Sequence, residues 1–321
     1  MSFAHLHLHS KYSILDGAIH IDKLTSRLQE LGMDTCAITD HRTLSGVLEF
    51  YREMRKAKLK PIIGMEIEIA LADCRVKTVE NKDTFHLVLL CSSETGYQNL
   101  KQISTKANLI GFYYKPRIDH AILEQHTEGL VALSGCRKGL VPSLVAWELM
   151  DTAAEQTKKY LEMFDGQYYL EIQENGIIYE MDEDRTISQH DINHRVLEIA
   201  EATGASAVAT NDCHYLSPED QEIHDLILAI QTNQKLSDQA RFRFDSDQLY
   251  LKSEEEMREQ FSYYEQAVDN AGWLAGQIKE IDIEMGVMHF PIFNIEEADD
   301  YEDFIQERSP DPIVGSDSPP E

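Results

Sequence analysis

Short apolar runs alternate with amphipathic segments along most of the chain. Seven runs have the length and composition of buried strands, and they cover residues 4–9, 35–39, 61–70, 85–91, 129–134, 167–172 and 206–210. Segments between them carry apolar residues at i, i+4 and i+7, as in the stripes Leu24/Leu28/Leu31, Val47/Tyr51/Met54, Ile192/Val196/Ile199 and Ile223/Ile227/Ile230. This alternation predicts an α/β fold with a mostly parallel sheet, either open or closed into a barrel.

The pattern changes after about residue 252. Residues 254–279 predict two helices that pack through Phe261, Val268 and Leu274. From Ile295 onward the chain is acidic and rich in Pro, Ser and Gly, a composition that cannot form a core. We therefore expect a barrel domain with a helical cap (1–275), an exit segment (276–294) and an acidic, disordered tail (295–321).

Composition and charge narrow the class of protein. The 321 residues are 42% hydrophobic and 27% charged, close to a soluble globular average. We expect a cytoplasmic protein without a membrane partner, because the sequence has neither a long apolar run nor a signal-peptide pattern. The net charge of −28 predicts weak unaided binding to DNA. Five cysteines without a CxxC pair argue against a disulfide framework.

Metal-competent side chains cluster where the predicted strands end. His7 and His9 share one face at the end of the first run, since residues i and i+2 of a strand point the same way. Asp212 and His214 repeat this arrangement after the seventh run. The carboxyl ends of parallel strands assemble sites, which adds the candidates His41, Glu66 and Cys136, with Asp16 in the first loop. This mixed ligand set suits zinc, manganese or iron.

Each candidate also has a simpler structural explanation when it is taken singly. A strand-end Asp or His often caps a helix, but the recurrence of such pairs on separate strands favours a shared metal centre. His5 shares the face of His7 and His9 but lies deeper, which predicts a hydrogen-bonded barrel residue. Three cations near the motifs are candidate phosphate contacts, although structural salt bridges are the favoured explanation; they are Lys115, Arg117 and Arg137.

These motifs resemble those of a known family. The stretches HLHLHSKYSILDGA, ITDHRTLSGVLEF, PIIGMEIEI, FHLVLLCSSETGYQNL, FYYKPRID, LVALSGCRKG and TNDCHYL are similar to the PHP (polymerase and histidinol phosphatase) domain. Together with QTNQKLSDQARFRFDSDQLYLKSEEEM, they resemble more narrowly the PHP domains that begin the α subunits of bacterial DNA polymerase III. The likeness covers roughly residues 3–290.

The resemblance implies a distorted (β/α)7 barrel that holds two or three divalent ions (zinc, manganese or iron) at one end. It implies nine ligands, which are His7, His9, Asp16, His41, Glu66, His86, Cys136, Asp212 and His214. His86 stands at the beginning of an apolar run, so it is supported by the resemblance alone.

The implied activity is that of a metal-dependent phosphoesterase. Within a polymerase it would be a 3′-to-5′ exonuclease that proofreads, using metal-activated water on a DNA primer 3′ end presented by the polymerase domains. The implied partners are the remaining domains of the polymerase III α subunit and a separate proofreading exonuclease subunit. No polymerase activity is expected from this chain alone.

Two other classes of function remain open. One is a noncatalytic scaffold that supports the polymerase or docks a separate exonuclease, and the complete ligand set counts against it. The other is a small-molecule phosphatase of the histidinol-phosphate type, which usually lacks the RFRF and YLKSEEEM stretches. Metal occupancy separates the scaffold from the enzymes, and substrate competition separates the two enzymes.

Overall fold

A computed structural model describes residues 2–288 apart from 183, 239, 240 and 245. Its strands are β1 (Thr35–Ile38), β2 (Lys60–Ala70), β3 (Thr84–Cys91), β4 (Ile118–Asp119), β5 (Leu130–Leu133), β6 (Tyr168–Gln173), β7 (Ile178–Asp182), β8 (Arg185–Ser188) and β9 (Ser206–Thr210). Its helices are α1 (Ile21–Glu30), α2 (Val47–Lys56), α3 (Glu94–Leu109), α4 (His120–Glu124), α5 (Leu140–Ala146), α6 (Met150–Met163), α7 (Gln189–Thr203), α8 (Gln221–Gln231), α9 (Glu254–Gln260) and α10 (Gln266–Gln277).

The main sheet has the strand order β1, β2, β3, β5, β6, β9, and the short β4 pairs with β2. Four of its pairings are parallel, as the alternation of strands and helices predicts. The exception is β3, which runs antiparallel to both β2 and β5. No α-helix lies between β2 and β3 among the described residues, and a connection without a crossover helix favours antiparallel pairing.

The amino-terminal segment closes this sheet. Residues 4–9 were predicted to form a continuous strand, but they make isolated parallel bridges on both sides, His5 with Cys36 of β1 and Leu8 with Cys213 after β9. The backbone N–H of His9 donates to the carbonyl of Cys213 (2.8 Å), and that of Thr39 donates to the carbonyl of Leu8 (2.9 Å). The segment therefore completes a ring with the strands of the main sheet, and the prediction of a distorted (β/α)7 barrel is confirmed.

Three of the four predicted helical stripes form buried faces, those of α1, α2 and α7. The helix α8 is present as predicted, but its predicted packing face was wrong, because Ile223 and Ile230 are 53% and 71% exposed, whereas His224 and Leu228 are buried. Apolar residues occur on several sides of α8, so the spacing i, i+4, i+7 does not select the buried face. In α1 the predicted Leu31 lies just beyond the last helical residue and is half-buried.

The two predicted carboxyl-terminal helices are confirmed as α9 and α10. Ser253 and Glu256 form a capping box at the start of α9, in which the Ser253 hydroxyl accepts from the Glu256 N–H (3.2 Å). Three predicted packing residues are buried, namely Phe261, Val268 and Leu274. One compact unit comprises Met1–Asp282. The predicted tail, 295–321, and the last part of the exit segment, 289–294, lie outside the described residues.

The hairpin of β7 and β8 was not predicted. Its strands pair antiparallel, and β7 alternates between exposed and half-buried side chains instead of presenting one buried face. Without an apolar face, the sequence lacks the signal by which strands are recognised. Among the described residues, no helix is long and apolar enough to span a membrane.

Candidate metal centre

The first loop is held by a buried carboxylate. Asp40 Oδ1 accepts hydrogen bonds from the Ser10 N–H (2.6 Å) and the Ser13 hydroxyl (2.8 Å), and its Oδ2 accepts from the Ser10 hydroxyl (2.7 Å). A Cβ at Gly17 would lie 1.9 Å from the Ser10 carbonyl oxygen, so only glycine fits this close approach. The tight loop fixes the position of its neighbour Asp16.

The two amino-terminal histidines meet the carboxylate that follows β9. His7 Nε2 and His9 Nε2 are 3.0 Å apart, and they lie 3.4 and 3.1 Å from Asp212 Oδ1. Glu66 of β2 approaches the same pair, with its carboxylate oxygens 3.7 Å from His7 and 3.8 Å from His9. Asp212 has a φ of 49°, a left-handed conformation that is costly for a non-glycine residue and common at functional sites.

A second group of side chains surrounds Asp16. His41 Nε2 lies 3.1 Å and His214 Nε2 lies 3.9 Å from Asp16 Oδ2. The ring of His9 stacks on that of His41 with 3.9 Å between centroids, and it lies 4.6 Å from that of His214. His41 Nδ1 also contacts Glu66. This group therefore shares His9 and Glu66 with the first one.

His86 and Cys136 lie on the other side of Glu66. His86 Nδ1 is 2.7 Å from Glu66 Oε1 and 3.6 Å from Cys136 Sγ. Strand-end reasoning missed His86 because it assumes parallel strands. Since β3 runs antiparallel to β2, its beginning lies beside the end of β2, and His86 is paired with Glu68.

The donor atoms of these side chains fit divalent ions. Three trios place one ligand atom of each residue within 4.8 Å of the others, and they are His7/His9/Glu66, His9/His41/His214 and Glu66/His86/Cys136. In the described part of the chain, four buried carboxylate oxygens have no hydrogen-bond partner; one is Glu171 Oε2, and the other three belong to the predicted ligands, namely Asp16 Oδ1, Glu66 Oε2 and Asp212 Oδ1. Because an unpaired buried acceptor is costly, cations at this position would satisfy these atoms.

Burial and the charges of neighbouring side chains raise the pKa of some residues in the cluster and lower that of others. Burial and the charge of the neighbouring His41 together lower the pKa of His9 to about 3. Burial also disfavours a charged His41, but the Glu66 and Asp16 carboxylates outweigh it and raise the pKa of His41 to about 9. Burial alone would raise the pKa of Asp212, yet the nearby His7 and His214 hold it far below its usual range. The Asp212 carboxylate, like those of Asp16 and Glu66 whose pKa values are also lowered, is therefore ionised at neutral pH.

Sequence reasoning missed Glu171, which lies in the fully buried strand β6. His7 Nδ1 donates to Glu171 Oε1 (2.7 Å), an arrangement that turns His7 Nε2 towards the centre. Gln173 Nε2 donates to the same oxygen (2.7 Å), and the Thr210 hydroxyl also contacts it. A carboxylate in the middle of an apolar strand was the signal that could have identified this residue.

Two of the three candidate phosphate contacts have other partners in the structure. Arg117 is fully buried, and its guanidinium donates to backbone carbonyls, including those of Gly111 (3.1 Å) and Val76 (3.0 Å). Lys115 Nζ lies 2.9 Å from Glu68 Oε2, so it forms an ion pair. The burial of Arg117 corrects the expectation of a phosphate contact there, whereas that for Lys115 stays a prediction. Arg137 alone of the three lines the cavity beside the centre.

This cavity, of about 390 Å³, connects the cluster with the surface. Predicted ligands form part of its lining, namely Asp16, His41, His86, Cys136, Asp212 and His214. A substrate in the cavity would therefore contact the metal-competent side chains directly.

The fold and the cluster together define a class, that of α/β-barrel proteins with a candidate multinuclear metal centre at one end of the barrel. The family model of the PHP domain matches residues 5–175, and the chain belongs to this family. The resemblance seen in the sequence is thereby confirmed.

Curated relatives are considerably longer than this chain. The DNA polymerase III subunit alpha of Borreliella burgdorferi is 37% identical over 283 residues, 88% of this chain and 24% of the relative. That of Treponema pallidum is 38% identical over 274 residues, 84% of this chain and 23% of the relative. The chain thus spans about a quarter of the length of these relatives. Among solved structures, an amidohydrolase from Chromobacterium violaceum is 15% identical with a TM-score of 0.37, covering 66% of this chain and 88% of its own.

Proposed function

We propose that this chain is a metal-dependent phosphodiester hydrolase that removes nucleotides from a DNA 3′ end, within the α subunit of a replicative DNA polymerase. The observation that carries the proposal is the convergence of imidazole, carboxylate and thiol donors on one cavity, with three buried carboxylate oxygens left unpaired. The similarity to polymerase III α subunits supplies the DNA context.

The nine predicted ligands divide into groups that share members. His7, His9, Glu66 and Asp212 would hold one ion, and Glu66, His86 and Cys136 a second. The remaining residues, Asp16, His41 and His214, would hold a third ion together with His9. Zinc, manganese or iron suits this mixture of nitrogen, oxygen and sulfur. When bound, such ions lower the pKa of a coordinated water to near 7 and neutralise charge on a phosphoryl group.

The protein's own side chains prepare this chemistry. Glu171 fixes the tautomer of His7, and the first loop fixes Asp16. The net charge of −28 repels DNA, so the remaining polymerase domains would have to present the primer end. A separate proofreading exonuclease subunit is a further proposed partner.

Two ligand variants test the proposal. His9→Ala and Asp212→Ala each remove a proposed ligand, so we expect at least a hundredfold loss of cleavage of matched and mismatched primers. Elemental analysis should show two or three equivalents of metal in the parent and fewer in the variants. His194→Ala, an exposed histidine outside the cluster, is the matched control and should behave like the parent.

The outcomes separate the rival functions. Cleavage by the two ligand variants at the parental rate would assign the activity to a contaminant. Stable metal binding without cleavage would favour the scaffold, and competition by histidinol phosphate would favour the small-molecule phosphatase. Circular dichroism of each variant confirms that the barrel is intact.

A further inference from the structure

The cavity beside the metal centre has an aromatic wall that metal binding does not require. Tyr179 of β7 lines one part, and Phe242 and Phe244 line another. Phe242 is 51% exposed, and its ring lies edge-on to that of Phe244 at 5.4 Å between centroids. Phe244 stacks on His224 (5.6 Å) and packs against the buried cluster around Leu249, which holds its ring in place. Exposed aromatic faces on a fixed support are suited to stacking with a flat ligand.

Cationic side chains also line the same cavity. They are Arg137, Lys138 and Arg243, and Glu180 is the acidic lining residue outside the proposed ligands. In a chain with a net charge of −28, such a group favours an anionic ligand at this position. The Arg137 guanidinium lies over the Tyr179 ring (5.5 Å to the centroid), and its Nη2 contacts Met181 Sδ (3.2 Å). Arg137 is therefore in direct contact with the aromatic wall at Tyr179.

Besides the carboxylate oxygens of the proposed ligands Asp16 and Asp212, two buried polar atoms of the lining lack partners among the described residues. Arg137 Nε is a donor without an acceptor, and Asn175 Oδ1 is an acceptor without a donor. Asn175 is 2% exposed, and its Nδ2 donates to the Asn211 carbonyl (3.3 Å), which fixes the side-chain amide. A ligand with an anionic group and a hydrogen-bond donor would satisfy both atoms.

We infer that this wall binds the unpaired base of the terminal nucleotide. The base stacks on the aromatic side chains, Asn175 Oδ1 accepts a hydrogen bond from the base edge, and Arg137 and Lys138 contact the backbone phosphate. The inference rests on the proposed function and adds to it a preference for 3′ ends whose terminal base is unpaired. A base that is stacked in a duplex cannot reach the wall, so frayed or mismatched 3′ ends are selected before any chemistry occurs.

The first experiment compares 3′ ends with and without a terminal base. Single-stranded oligonucleotides end either in a normal nucleotide or in a tetrahydrofuran abasic residue. We expect the parent to cleave the base-bearing end about tenfold faster at low substrate concentration. Phe242→Leu and Tyr179→Leu should lose this advantage through a higher KM, with kcat little changed. Phe112→Leu, an exposed phenylalanine outside the cavity, is the matched control.

The second experiment measures stacking without cleavage. The Asp212→Ala protein is mixed with an oligonucleotide that carries 2-aminopurine at its 3′ end, because this base loses fluorescence when it stacks. We expect quenching by Asp212→Ala and little quenching by the double variant Asp212→Ala/Phe242→Leu. Equal fluorescence with both proteins would overturn the inference. Failure of the metal-loaded parent to cleave any 3′ end would instead overturn the proposed function, so the two failures are distinguishable.

Discussion

Glu171 illustrates how a residue outside the ligand set can control a metal centre. Its side chain is buried in β6, and it accepts a hydrogen bond from His7 Nδ1 at 2.7 Å. Carboxylates in this position orient a ligand histidine and increase its basicity. We therefore assign Glu171 a positioning role for His7 in the proposed centre.

Replacing Glu171 with Gln should weaken metal binding while the barrel persists. The amide keeps the size of the side chain but removes the charge that stabilises the His7 tautomer, so we expect metal affinity to fall about 10- to 100-fold. Competition with a fluorescent chelator measures this change. Thr210→Val is the control, because it removes only a hydroxyl contact to Glu171. Parental affinity in Glu171→Gln would show that the carboxylate has no role in binding.

The sequence allowed some residues of the candidate site to be predicted, and it failed for identifiable reasons at others. His7, His9, Asp212 and His214 occur as closely spaced pairs at the ends of apolar runs, so local pattern was sufficient to single them out. His86 depended on strand direction, which periodicity does not encode. Arg117 was misassigned because proximity to a motif does not reveal that carbonyl groups surround the guanidinium.

At the scale of secondary-structure elements, α8 shows where the spacing of apolar residues fails to predict the buried face of a helix. The helix is apolar on several sides, and its buried face was decided by the neighbouring barrel and loops. Ile223, Leu226 and Ile230 remain exposed as a result. The strands of the main sheet were easier to predict, because their continuous apolar runs reflect burial on both faces.

Substitution of the exposed face of α8 should change solubility without changing stability. We expect Ile223→Lys and Ile230→Lys to reduce self-association, measured by light scattering, because they remove exposed apolar surface. The melting temperature should shift by no more than about 2 °C, as surface changes typically cost under about 0.5 kcal/mol. Leu228→Lys on the buried face is the contrasting control, and it should unfold the protein or lower its melting temperature sharply. A similar loss in Ile230→Lys would contradict the exposed placement.

At the scale of the whole molecule, unpaired buried carboxylates make stability depend on the bound ions. Chelation should lower the melting temperature by several degrees, because ions that bind only the folded state stabilise it by about 3–4 kcal/mol at 100 to 1,000 times their dissociation constant. Differential scanning calorimetry with and without a chelator tests this. Asp212→Ala should show a smaller difference, and an unchanged parent would contradict metal-linked stability.

The net charge of −28 predicts an unusual dependence of cleavage on salt. Moderate ionic strength should raise the cleavage rate at low substrate concentration, because it screens the repulsion between the protein and DNA. Rates measured from about 20 to 200 mM salt cover the relevant Debye lengths. A monotonic fall, as expected for a basic DNA-binding protein, would show that the cations of the cavity dominate the encounter.

The amino-terminal segment (residues 4–9) closes the barrel, and its contacts also determine when the site can form during synthesis. His5 Nδ1 contacts Cys213 Sγ across 208 residues of chain, and His7 contacts Glu171 across 164. A ribosome that has released only the first half of the domain has made His7 and His9 but neither Glu171, which orients His7, nor Asp212, which lies beside both histidines. Contacts of such high sequence separation form late in folding, because long loops must close first. We therefore expect the proposed centre to bind metal only after the barrel is complete. Truncated chains should not bind metal.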